Sequence, residues 1–233
     1  MGKFGVEDLA LLYEQNKIKD YFASYEPKHF WEEFGKVYIK TFGIKEGHKN
    51  PLNLNVNYLL SRIAILKPKS ILEVGCGFGR MLVFVAANIP ALSVVGIEFS
   101  STMIESAKEF LNNHKNQLLK LPAIIQADAK NLPFKDKSFD LVYTHVCLTH
   151  ISPEDIVQVR REISRVARDG IIHIERYRYP YEHDQPHVWS HQHIPHYQRL
   201  GWKLKEYSEI NKKHSTKLLV LLSKEKWQET IKN

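Results

Sequence analysis

Cysteine is scarce in this 233-residue sequence: Cys76 and Cys147 are the only two. Two thiols build neither a disulfide framework nor a four-thiolate metal site. Long hydrophobic runs are missing as well. The longest apolar stretch, Met81 to Ile97, is broken by Asn88 and Pro90, short of the about 18 unbroken residues a membrane span requires. The opening MGKFGVEDLALLYEQ has no apolar core with a small-residue cleavage site. Gly2 lacks the Ser or Thr at position 6 that myristoylation asks for, since Val6 stands there. The expectation is a soluble, cytoplasmic chain with no membrane partner. Repeats, low-complexity tracts and blocks of five or six like charges are also absent. A composition of 43% hydrophobic and 25% charged residues excludes collagen-like, disordered and coiled-coil chains. The formal charge of +7 admits an anionic partner such as nucleic acid or a phosphorylated or acidic metabolite. The lysines are scattered singly and in pairs, which reads as a solvated surface.

What is present is a change of pattern near Ser70. Residues 1–64 are helical in flavour, with Trp31, Phe34, Tyr38 and Ile39 at the spacing of one helix face. Beyond them, short apolar runs alternate with longer amphipathic ones. Strands are predicted at Ser70–Val74, Ser93–Phe99, Ala123–Ala127, Phe139–Thr144, Ile171–Arg176, Lys203–Ile210 and Lys217–Ser223, the last two joined by a turn over Asn211–Ser215. Helices are predicted at Gly79–Asn88, at Ser101–Asn112 and at Pro153–Ala167. The second is capped by Ser100 or Ser101, with Glu105 completing a capping box. The third has Ser152 as cap and Gly170 past its end. Strand–helix alternation implies a doubly wound, mostly parallel sheet. The expected layout is a helical N-terminal cap, 1–64, and one α/β domain, 65–233.

The informative segment is Ser70-Ile-Leu-Glu-Val-Gly-Cys-Gly-Phe-Gly-Arg80. An apolar strand runs into Gly75, Gly77 and Gly79, and a helix follows. In an open parallel sheet ligands bind outside the carboxyl ends of the strands, and glycines let the backbone approach them. A tight structural turn would use the same residues, so other positions must discriminate. A dinucleotide fingerprint wants a third small residue where this chain has Arg80 or Leu82. Glu73, two residues before Gly75, would repel a pyrophosphate. It suits a ligand bearing an ammonium and a sulfonium.

Glu73-Val-Gly-Cys-Gly-Phe-Gly79 resembles motif I of the class I S-adenosylmethionine-dependent methyltransferases, and further motifs follow in order. Val95-Gly-Ile-Glu98 resembles the second strand with its terminal ribose-binding acid, and Glu98 lies 19 residues past Gly79. Ile125-Gln-Ala-Asp128-Ala129 before Leu132-Pro133-Phe134 resembles the third-strand motif, whose acid binds the adenine amino group. Ser138 to Ile151 resembles the fourth-strand motif, which ends beside the transferable methyl. The likeness covers about residues 65–176, and the tail, with Leu200-Gly201-Trp202, resembles the antiparallel pair that closes a seven-stranded Rossmann-like sheet. It implies S-adenosyl-L-methionine as cofactor, held by Glu73, Gly75, Cys76, Gly77, Gly79, Glu98, Phe99, Asp128, Ala129, Thr144 and His145. Each acid also has a plainer reading, since Glu98 or Asp128 could cap the segment after it. Asp140, on the side away from the ligand, reads as a turn residue. The two cysteines read as small packing residues, lacking an adjacent base.

The resemblance implies methyl transfer, in which the protein aligns acceptor, methyl and sulfur and, for weak nucleophiles, removes a proton. Thr144 and His145 end the fourth strand and are expected to face the cofactor. His145 or His150 is the candidate base, the alternative for His150 being a helix-start residue bonded to backbone. Aromatic residues, Tyr21, Phe22, Tyr25, Phe30, Trp31 and Phe34 on one side and Tyr177, Tyr179, Tyr181 and Trp189 on the other, serve either core or acceptor pocket. Five of the 12 histidines fall at 183, 187, 191, 193 and 196. That spacing could hold a transition metal. With no cysteine or paired carboxylate in support, a substrate-proximal loop is the preferred reading and no metal is expected. Where amino-directed nucleic-acid and protein methyltransferases carry Asn/Asp-Pro-Pro-aromatic, this chain reads Thr144-His-Val-Cys147. A small-molecule acceptor is favoured. RNA or protein methylation, and non-catalytic S-adenosylmethionine binding, stand as alternatives.

Overall fold

A computed structural model describes residues 26–38, 54–89, 93–118, 120–176, 188–211, 216–223, 225–226 and 228–229. Its centre is a seven-stranded sheet, flanked by helices. In chain order the elements are α1 (Pro27–Tyr38), α2 (Leu54–Leu66), β1 (Ser70–Val74), α3 (Arg80–Asn88), β2 (Ser93–Glu98), α4 (Ser101–His114), β3 (Ala123–Gln126), β4 (Phe139–His145), α5 (Ile156–Val166), β5 (Ala167–Arg176), α6 (Ile194–Arg199), β6 (Lys203–Asn211) and β7 (Thr216–Leu222). The strand order is β3-β2-β1-β4-β5-β7-β6. Pairing is parallel from β3 to β5 and antiparallel for β5–β7–β6, as the doubly wound pattern predicts.

β1 and β4 are buried on both faces, which is why they read as continuous apolar runs. Alternate residues serve opposite cores. Ile71, Leu141, Tyr143 and Ile172 meet Val56, Leu59 and Ile63 of α2 and Leu82 and Val85 of α3. Leu72, Val74, Val142 and Ile171 meet Val159 and Ile163 of α5 and Tyr197 of α6. The polar residues of these strands inherit the same alternation, and that decides which reach the ligand crevice.

Several boundaries depart from expectation. The helix expected at Pro153–Ala167 starts at Ile156, because Ser152 Oγ and carbonyl close a turn on Asp155 first. Gly170 does not end that helix. It lies inside β5, which begins at Ala167, opposite Leu141 and Leu222. An added Cβ there would stand 3.1 Å from Leu141 Cδ1. The Ser101–Glu105 capping box gives way to Ser100, whose Oγ accepts from Met103 N at 3.2 Å. Asp140 is a buried strand residue rather than a turn, accepting from Lys69 N at 2.7 Å and paired with Arg168. It stays, as expected, at the end of β4 away from the glycine turn. Asn211 closes β6, and the turn residues after it, 212–215, lie outside the described residues.

Candidate functional site

The sheet order reverses at β1: the chain winds out to β2 and β3, then returns to β4 on the other side. Such a switch point opens a crevice at the carboxyl ends of the strands. The glycine turn sits there. Gly75, Gly77 and Gly79 take φ of +72°, +53° and +82°, the region that penalises any side chain. At Gly75 a second constraint applies: a Cβ would overlap the Cys147 thiol, so the bare glycine is what lets the β1 turn pack against the loop after β4. At Gly77 a Cβ would meet nothing within 4 Å, so that face of the turn is open. Cys76 points into the core instead, against Gly96, and burial pushes its thiol far up. It is a packing residue.

Glu73 ends β1 at 2% exposure, beside Tyr143, whose hydroxyl donates to its Oε2 at 2.7 Å. Burial pushes this carboxyl up to about 8, against the pull of the Tyr143 hydrogen bond and of Arg80. Glu98 ends β2 and makes three local hydrogen bonds. Its Oε1 accepts from Phe99 N (2.9 Å) and Ser100 N (3.0 Å), and its Oε2 from Gly77 N (3.0 Å). Those three bonds join the turns after β1 and β2 and leave about one of a carboxylate's four acceptor positions for a ligand.

Asp128 is exposed beyond β3, its Oδ1 accepting from Lys130 N at 2.8 Å, and Ala129 beside it is partly buried. Thr144 turns away from the crevice. Its hydroxyl donates to Glu175 Oε1 at 2.6 Å and lies 2.8 Å from His173 Nδ1, on the face opposite Tyr143. The expectation that it faces the cofactor is corrected by the strand's two-residue alternation. His145, one residue on, lies on the Tyr143 side, its Nε2 3.3 Å from Asn55 Nδ2 of α2. Burial, with Arg80 and Arg176 nearby, lowers its ring to about 3. The chain then passes through Val146 at φ +52°, strained for a β-branched residue. The 3₁₀ turn Leu148–His150 follows, with His150 N donating to Cys147 O at 2.9 Å.

The loop owes its shape to Glu175, a residue that sequence reasoning missed. From β5 its carboxylate accepts from Cys147 N (3.1 Å) and Thr149 N (3.2 Å) as well as from Thr144. α1 closes the other side. Trp31 packs edge-on to His150 at 5.0 Å, and Tyr38 approaches Phe78 at 6.0 Å. Phe30 and Phe34 are buried, so among the cap aromatics these two are core while Trp31 and Tyr38 reach the crevice. Glu32, also missed, holds α1 in place by accepting from the backbone N–H and hydroxyl groups of Ser101 and Thr102 at 2.6–3.1 Å. No signal within the helix reveals a cap supplied from 69 residues away. Tyr21, Phe22, Tyr25, Tyr177, Tyr179, Tyr181, His183 and His187 lie outside the described residues. Among those described, no group of three or more His, Cys, Asp or Glu side chains is placed to hold a metal. Nor is any helix long and apolar enough to cross a membrane.

Fold and site together define a doubly wound α/β protein whose crevice pairs an open glycine turn with a buried acid. Residues 71–170 match the family model of a methyltransferase domain. Norajmaline N-methyltransferase of Rauvolfia serpentina is 36% identical over 104 residues, 45% of this chain and 34% of that protein. Among solved structures, an S-adenosylmethionine-dependent methyltransferase from Aquifex aeolicus has a TM-score of 0.61 at 19% identity, covering 77% of this chain and 95% of its own. The [4+2]-cyclase SpnF has a TM-score of 0.59 at 15% identity, covering 73% and 80%. Residues 71–170 are thus similar to a methyltransferase domain, and the sheet has the fold of solved S-adenosylmethionine-dependent methyltransferases. It spans about a third to a half of the length of the curated relatives it matches: 38%, 34% and 48% for the first three.

Proposed function

We propose that this chain transfers a methyl group from S-adenosylmethionine to a small-molecule acceptor, in the cytoplasm, where two free thiols such as Cys76 and Cys147 persist. The observation that carries the reading is Glu73, a buried acid with one phenolic hydrogen bond at the mouth of an open glycine turn. Such a group gains a partner when a cation arrives. In this reading Glu73 holds the amino-acid ammonium and the Gly75–Gly79 turn, with Cys76, lies along the cofactor backbone. Glu98 and Phe99 hold the ribose, and Asp128 and Ala129 border the adenine. The bound cofactor supplies an electrophilic methyl on a positively charged sulfur. The chain supplies alignment: the Glu175-held loop and Trp31 fix the acceptor side.

His150 is the proposed base, since it lies on the loop beside Trp31. His145, its ring held near 3, is neutral at physiological pH and too weak a base for the task. It serves as a hydrogen-bond partner of Asn55. The acceptor class rests on the Thr144-His-Val-Cys147 sequence and on an aromatic wall of Trp31, Tyr38 and Phe78. Fold alone decides nothing here.

A methyl-labelled cofactor, incubated with the chain and with metabolite pools, RNA or protein, tests the proposal. Label in a small molecule supports it. Label in RNA or protein replaces the acceptor class, and tight cofactor binding without transfer to any pool leaves a non-catalytic binder.

A further inference from the structure

Arg160 is a buried cation with no counter-charge among the described residues. It sits on α5 at 6% exposure, and among the described residues its polar partner is the His193 ring, whose Nδ1 accepts from Nε at 3.0 Å. Arg161 and Arg199 nearby form no ion pair with any described residue. Both add positive charge around His196. Buried guanidinium groups are ordinarily matched by a carboxylate or phosphate, because desolvation penalises an unmatched charge heavily.

The surroundings repeat the pattern. The rings of His193, His173 and Tyr197 form a column, with centroids 5.3 Å and 5.2 Å apart and successive planes 32° from parallel. His196 meets Tyr197 at 5.8 Å. His173 and Tyr197 are 1% and 0% exposed. Even so, the Tyr197 hydroxyl, His173 Nε2 and His196 Nε2 find no hydrogen-bond partner among the described residues. Buried polar atoms are nearly always satisfied in native proteins. The Tyr197 hydroxyl and His196 Nε2, both able to donate, and a cation unmatched among the described residues point to a ligand that accepts, while His173 Nε2 is left as an acceptor. The cluster is also rigidly placed. The Thr144 hydroxyl gives its one proton to Glu175 and so accepts from His173 Nδ1, while His191 Nε2 donates to Ile151 O.

We propose that Arg160, Tyr197 and His196, on α5 and α6 behind the loop after β4, form a binding site for a phosphate group. The guanidinium supplies a charged fork and the other two supply donors. The phosphate is either the free ion or part of a larger molecule, and the two sources are separable. The test is isothermal titration of the whole chain, with and without S-adenosylhomocysteine, against inorganic phosphate and against glucose 6-phosphate as a phosphomonoester. Saturable binding of both, or of phosphate alone, supports the site. The first result marks a subsite for a larger ligand and the second a free-ion site.

Tyr197→Phe, which removes one oxygen and leaves packing intact, should weaken phosphate binding by about tenfold, the worth of one hydrogen bond. Arg160→Met should abolish it. No phosphate heat in the wild type, or wild-type affinity in Tyr197→Phe and in a folded Arg160→Met, overturns the proposal. Since this readout needs no methyl transfer, its failure leaves the proposed reaction standing, and failure of the reaction leaves this site standing.

Discussion

Replacing Glu73 by glutamine isolates the electrostatics on which the site depends. The swap keeps the side chain's volume and an oxygen for the Tyr143 hydroxyl while deleting the titration. Burial raises the wild-type carboxyl to about 8 from an ordinary 4.5. Between those values the folded chain keeps a proton that the unfolded chain has released, so stability falls as pH rises through the window and is level outside it. A window of about 3.5 pH units at roughly 1.4 kcal/mol each is worth on the order of 5 kcal/mol. Glu98 and Glu175 are also raised by burial and tilt both curves alike. The difference between variant and wild type therefore reports Glu73 together with its coupling to the neighbouring Glu98. Urea unfolding at pH 5, 6, 7 and 8 should show Glu73→Gln progressively more stable than wild type toward pH 8. Calorimetry should show it losing cofactor affinity by about a hundredfold, the scale of a buried charge-assisted contact. Wild-type binding at pH 7 should also release close to one proton, seen as a buffer-dependent enthalpy. A stability difference flat in pH, or undiminished cofactor affinity, would refute the reasoning.

Three further substitutions probe the supports of the site. Glu32→Ala should cost about 1–2 kcal/mol by uncapping α4. Hydrogen bonds from Ser101 and Thr102 outweigh burial and hold this carboxyl at about 2, so its stabilisation is complete above about pH 4.5. The gap between variant and wild type in urea should close as pH falls from there toward 2. Gly75→Ala should destabilise by roughly 2–4 kcal/mol, from its positive φ and from overlap with the Cys147 thiol. Adding Cys147→Gly should return the steric part in chemical denaturation. His150→Asn should lower turnover by about a hundredfold or more with cofactor affinity unchanged. His145→Asn should leave the pH dependence of turnover between 5 and 8 in place, because its ring does not titrate there.

The sheet and the glycine turn were legible because both obey short-range rules: two-sided burial writes continuous apolar strands, and a tight strand-to-helix turn needs positive φ. Glu73 and Glu98 were legible for the same reason, as acids at strand ends next to that turn. Direction was harder to read. Thr144 and His145 end one strand, yet one faces Glu175 and the other Asn55, and a register shift between Phe139 and Leu141 separates this strand's start from its end. Gly170 looked like a helix stop because nothing local shows that β5 begins at Ala167. Glu32, Asn55 and Glu175 act on residues 26 to 90 positions away, a separation no periodicity encodes.

Two buried acids, Glu73 and Glu98, lie at the crevice and a third, Glu175, holds the loop after β4 from the opposite face, and their partners divide the labour. Glu98 spends three hydrogen bonds on the turns after β1 and β2, and Glu175 spends its own on Thr144, Cys147 and Thr149. Both are raised by burial and pulled back by backbone donors. In effect they replace solvent for the loops they hold, and their charge is largely committed. Glu73 has one phenolic donor, and burial dominates its titration. Of the three it has the most to gain from an arriving cation, since an acid already surrounded by donors has little desolvation left to recover. The same inequality fits Tyr143 standing opposite Glu73 in the register: a single neutral donor orients the carboxyl without supplying a counter-charge, which leaves that part to a cationic ligand.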